Sequence, residues 1–85
     1  MDYEELSNAL SELDGDKVLE FAKKFIDSSP DELEEKKFIN AAQDGINTVT
    51  DKFEMRKYKV GDLIYAKEIL GQIMDMILPV AEENS

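Results

Sequence analysis

The chain has 85 residues and a net charge of −10, from 20 acidic and 10 basic side chains. It contains neither cysteine nor histidine, which excludes disulfides, thiol nucleophiles, and the commonest general base and metal ligand. A length that supports one modest core argues against a self-contained enzyme, and the acidity argues against nucleic acid or an anionic membrane as partner.

Hydrophobic content is 42%, with four glycines and two prolines, a composition that favours a globular, helical chain. Asp2 is expected to cap a first helix whose apolar stripe is Tyr3, Leu6, Leu10 and Leu13. In Asp14-Gly15-Asp16 the glycine supplies a turn and Asp16 a second cap. A second helix follows from Lys17 to Ser28, with a stripe of Val18, Phe21, Ala22 and Phe25, widened by Leu19 and Ile26. Ser29-Pro30-Asp31-Glu32 predicts a serine cap, a proline in the first helical position and a glutamate closing a capping box. The third helix is expected from Pro30 to about Phe53, with a core stripe of Phe38, Ala42, Ile46, Val49 and Phe53. Gly45 lies inside it, at a cost of up to about 1 kcal/mol relative to alanine, which points to another helix passing close by. A fourth helix is expected from Gly61-Asp62 to Leu78, stopped by Pro79, with a stripe of Leu63, Ala66, Leu70, Ile73 and Ile77. Four helices on short connections predict an all-α, antiparallel four-helix bundle.

Most polar clusters have an ordinary explanation. Asp14-Gly15-Asp16 opens like a calcium loop, but apolar Val18, Leu19 and Phe21 stand where further oxygen ligands are needed. The carboxylates at Asp31-Glu32, Glu34-Glu35 and Glu82-Glu83 read as solvated helix faces. Ile26-Asp27-Ser28-Ser29 has a loose likeness to the prosthetic-group serine of acyl carrier proteins, with Ser29-Pro30 in place of leucine. The connection between the third and fourth helices is different. It keeps Phe53, Met55, Tyr58 and Val60 within eight residues. Either these plug the end of the bundle, or they form an apolar tip that covers a partner. Met74 and Met76 fit the core and its rim.

Gly45-Ile46-Asn47-Thr48-Val49-Thr50-Asp51-Lys52-Phe53, then Tyr58-Lys59-Val60, Ala66 and Leu78-Pro79, resembles the helical cap module of cobalamin-dependent methyltransferases. That family includes methionine synthase and the corrinoid proteins of methanol and methylamine systems. The likeness runs from Leu6 to Pro79. Thr50 departs from the family's second glycine, Val60-Gly61 from its Leu-Pro, and Met55-Arg56 from a stretch that is usually glycine-rich. In the family, the residues at the positions of Phe53 and Val60 lie over the upper face of the corrin ring and shield the methyl group it carries. Protection of that group from water and oxidants gives an apolar lid a purpose.

The resemblance implies a cap domain over residues 1–79 and a tail or linker from 80 to 85. The domain would be non-catalytic by itself and part of a methyl-transfer system. Phe53 and Val60 would face cobalamin, with Met55 and Tyr58 as further contacts and no metal ligand. The cofactor would be held by a Rossmann-like domain, in the same longer chain or in trans, with a substrate-specific methyltransferase as a further partner. A competing expectation is a helical module that docks a protein through its apolar tip; an acyl-carrier-like role stands behind both. Asp2, Glu4 and Glu5 stand where a secretory signal needs basic residues. No apolar run approaches membrane-spanning length, so a cytoplasmic location is expected.

Overall fold

The computed structural model describes residues 1–83, with side-chain surroundings given as far as Ile77. It contains four helices, α1 Tyr3–Ser11, α2 Gly15–Asp27, α3 Glu32–Glu54 and α4 Val60–Glu83, and no strand among the described residues. The all-α bundle expected from the sequence is observed.

Each start has a local cause. The Asp2 carboxylate accepts from the Glu4 N–H, as expected. Asp14, not Asp16, caps α2 by accepting from the Lys17 N–H. Asp31, not Ser29, caps α3 by accepting from the Glu34 N–H at 2.8 Å. Asp62 lies one turn inside α4 and accepts from the backbone N–H of Lys59, which precedes the helix, one half of a capping box.

The ends share one device. Leu13, Ser29 and Arg56 each take a positive φ, of 62°, 54° and 63°, just past α1, α2 and α3. At α3 the Arg56 N–H bonds to the Phe53 carbonyl and the Lys57 N–H reaches back to that of Lys52. At α1 the Leu13 N–H bonds to Leu10 and that of Asp14 to Ala9. Both are Schellman closures. After α2, Pro30 has no N–H for the longer bond, and the Ser28 hydroxyl donates to the Phe25 carbonyl instead. Ser29 therefore ends α2 where it was expected to begin α3, and Leu13 takes the turn assigned to Gly15.

The helices pair as two antiparallel hairpins, α1 with α2 and α3 with α4. Between the hairpins α1 and α3 run side by side in the same direction, because successive contacts climb both helices together. The Ser7 hydroxyl donates to the Ala41 carbonyl at 2.8 Å, Leu10 lies against Gly45, and Lys52 reaches the Ser11 carbonyl. A Cβ on Gly45 would lie 2.9 Å from the Leu10 Cβ and 3.1 Å from the Ser7 carbonyl oxygen. This is the close approach its placement predicted. α4 packs on α2 and α3.

Leu6, Leu10, Val18, Phe25, Phe38, Val49, Ile73 and Ile77 are the largest fully buried side chains. Ile69, absent from the expected stripe, is also buried. Rings bridge α2 and α3 where their backbones stand apart: Phe38 lies 4.6 Å from Phe25 and 6.0 Å from Phe21, centroid to centroid. Tyr3 closes on both phenylalanines edge-on. Other expectations also fail. Phe53 is only half-buried and lies outside the core cluster, because the α3 stripe leaves the core after Val49. α4 continues through Pro79 to Glu83. Proline removes one backbone hydrogen bond there, yet its fixed φ is compatible with a helix.

Candidate functional site

The end of the bundle that holds the α3–α4 connection is built from four chain segments: the α1 terminus, the start of α2, residues 53–59 and the first turns of α4. Tyr58 fastens it. Its hydroxyl donates to the Ser11 carbonyl at 2.7 Å, satisfying one of the carbonyls that the last turn of α1 leaves free. The Lys52 ammonium sits 5.1 Å from the centre of the Tyr58 ring, within cation–π range, and approaches the same Ser11 oxygen at 3.4 Å. On the neighbouring side Tyr65 leans over α2. A Cβ on Gly15 would lie 2.8 Å from its hydroxyl oxygen.

Against this frame the four candidate residues divide. Tyr58 is half-buried and packed on the core. Met55 and Val60 are exposed, at 59% and 58%, and Phe53 stands half-buried beside the core without joining it. Neither of the two outcomes expected for the connection describes all of it: Tyr58 plugs, while Met55 and Val60 face outward. Ile64, one turn after Val60 on the same side of α4, is also exposed, as in part is Tyr65. Sequence reasoning missed both. Their signal was an apolar pair lying off the Leu63–Ala66–Leu70 stripe.

Two concavities of ≈ 360 Å³ and ≈ 250 Å³ are lined by Met1, Glu5 and Phe21 and by Tyr3, Ser7 and Ala41 respectively, and neither includes any residue from 53 to 65. Among the described residues no group of acidic side chains is arranged to hold a metal. Met55, Val60 and Ile64 thus form an exposed apolar surface at this end of the bundle. The Ser28 hydroxyl, the other position considered, is engaged with the Phe25 carbonyl at 2.6 Å.

No helix among the described residues is long and apolar enough to cross a membrane. No solved structure matches the chain. Residues 2–78 match the family described as the B12 binding domain. The match takes in all of α1, α2 and α3 and most of α4, including every exposed apolar residue of the tip. The family is the N-terminal helical cap of cobalamin-binding proteins; it normally pairs with a cobalamin-binding domain and is not itself catalytic. This chain belongs to the B12 binding domain family, as a helical cap of a cobalamin-binding protein.

Proposed function

We propose that the chain caps the upper face of cobalamin during methyl transfer, with Phe53 and Val60 over the ring, Met55 at its edge and Tyr58 supporting the connection. One observation carries this reading. Val60 and Met55 are more than half exposed, and Phe53 is the one residue of the α3 stripe that stays out of the core. In a free domain such exposure costs hydrophobic stabilisation of about 25 cal/mol per Å², which covering a ligand would recover.

Cobalamin, when bound, supplies a cobalt centre that accepts a methyl group from one partner and gives it to another. This chain's residues would exclude water and oxidants from that face. The hydrocarbon side chains of Phe53 and Val60 offer no donor or nucleophile to compete for the methyl group. A substrate-specific methyltransferase and a Rossmann-like cobalamin domain complete the system, in a cytoplasmic setting. The cobalamin domain would stand in the same longer chain or act in trans.

The test uses the protein loaded with methylcobalamin. Phe53→Ala and Val60→Ala should each speed photolysis and oxidation of the bound cofactor several-fold while leaving helicity unchanged. Rates equal to wild type would reject the lid. They would favour a tip that docks a protein without touching the ring.

A further inference from the structure

The connection that carries the exposed apolar residues is also the most basic part of an acidic chain. Residues 52–59 hold four of the ten basic side chains, Lys52, Arg56, Lys57 and Lys59, against one acid, Glu54. Lys52 is committed to Ser11 and Tyr58. Arg56, Lys57 and Lys59 are exposed, and among the described residues none of their side chains forms an ion pair.

The ordinary explanation is helix electrostatics. Cations near a helix C-terminus are stabilised by the macrodipole, and Arg56 and Lys57 follow α3. It does not extend to Lys59, which immediately precedes α4, where the same dipole disfavours a cation. The three charges are also displayed on a fixed turn. Arg56 holds its positive φ through two backbone hydrogen bonds of the closure, so they flank Met55 and Val60 at set positions.

We propose that Arg56, Lys57 and Lys59 form a cationic collar around the apolar tip, and that it docks on surface carboxylates rimming the cofactor face of the cobalamin-binding domain. This rests on the cap reading above and names the chemistry of the partner's surface. Charge complementarity selects the occupant. Three cations in a chain of net charge −10 make too few phosphate contacts to overcome repulsion from a polyanion. A small set of carboxylates lies within the roughly 10 Å over which such charges act at 0.1 M salt. Rim charges of this kind set association rate, salt dependence and register more than ultimate affinity.

The experiment titrates the 85-residue chain with its cobalamin-loaded partner domain at 20 and 300 mM salt. The triple variant Arg56→Gln/Lys57→Gln/Lys59→Gln should bind about 10-fold more weakly at low salt, with its salt dependence largely lost. A control, Lys23→Gln/Lys36→Gln/Lys37→Gln, changes net charge equally on exposed faces away from the tip and should bind as wild type. Unchanged binding by the collar variant, or an equal loss in the control, overturns the collar. Val60→Asp separates the two readings. If it weakens binding while the collar variant does not, the cap reading stands and the collar falls. If wild type fails to bind, or Val60→Asp has no effect, the cap reading falls and takes the collar with it.

Discussion

The two ends of the bundle solve the same problem in opposite ways. At one end, where α1 begins and α2 gives way to α3, Tyr3, Phe21, Phe25 and Phe38 pack ring against ring beneath a surface of carboxylates that includes Glu4, Glu5, Asp31 and Glu34. At the other, Phe53 stays outside the core and Met55, Val60 and Ile64 face outward among cations. The chain therefore has the means to close an end with packed rings, yet among the tip's aromatic side chains only Tyr58 packs on the core. Exposure at the second end is not forced by its backbone. The α1–α2 turn at that same end has the same closure, yet its left-handed residue, Leu13, packs on the core. An end left open by side-chain choice is what a covering surface requires.

The sharpest way to break the comparison is to remove one ring from each end. Phe38 is fully buried, and Phe38→Ala should cost about 3–5 kcal/mol. In an 85-residue domain that is a large part of the total stability. Phe53→Ala should cost no more than about 1 kcal/mol, as expected for a side chain outside the core. Urea unfolding measures both. If the two losses were similar, the tip would be a plug.

A second pair asks the question of the backbone. Gly45→Ala forces a methyl group against the Leu10 Cβ and the Ser7 carbonyl, neither of which yields without separating α1 from α3. A loss of about 1–3 kcal/mol is expected. Gly61 has nothing within 4 Å of an added Cβ, so Gly61→Ala should stabilise by up to about 1 kcal/mol through helix propensity. Thermal midpoints moving in opposite directions would confirm that α1 and α3 are in close contact while the start of α4 is open.

Arg56→Gly should give a smaller gain, of about 0.5–1 kcal/mol, by relieving a left-handed backbone. Leu13→Gly relieves the same conformation but removes a side chain packed on the core, so it should give no net gain. Denaturation midpoints of the two variants separate backbone strain from burial.

What could be read in advance follows from how local each cause is. The four helices, the stripes of α1 and α2 and the meaning of Gly45 depend on spacings of three and four residues, and these survive folding. The caps were displaced because Asp14-Gly15-Asp16 and Ser29-Pro30-Asp31 each offer two capping side chains, and the left-handed residue that decides between them is a leucine or a serine rather than a glycine. Phe53 continues the α3 stripe by period, so only the three-dimensional end of the core shows that it has left. The role of Tyr58 was hidden for another reason: its partner, Ser11, is 47 positions away, and no local pattern encodes that pairing. Tip residues Phe53, Met55 and Val60 were legible as an anomaly, a connection too apolar for its place, while the exposure of each needed the fold.

The smallest expected effect belongs to the closed end. Burial of the Tyr3 hydroxyl, followed by the nearby charges of Glu34 and Asp31, raises its pKa above the ordinary value of about 10. Each of these causes disfavours the phenolate in the folded state. The unfolded chain then ionises first as the pH rises. The contribution of Tyr3 is fully present below about pH 10 and is lost as the pH climbs through the higher folded value. Tyr3→Phe should flatten that alkaline decline by a fraction of a kcal/mol at most and leave stability near neutrality almost unchanged. Tyr58→Phe should behave differently. It breaks the hydrogen bond to Ser11 and should cost about 1 kcal/mol at pH 7. Equilibrium unfolding at pH 7 and pH 10.5 distinguishes the two. A neutral-pH loss for Tyr3→Phe equal to that of Tyr58→Phe would mean that the closed end relies on the Tyr3 hydroxyl as much as the tip relies on that of Tyr58. The contrast between an end closed by rings and an end fastened by one hydrogen bond would then fail.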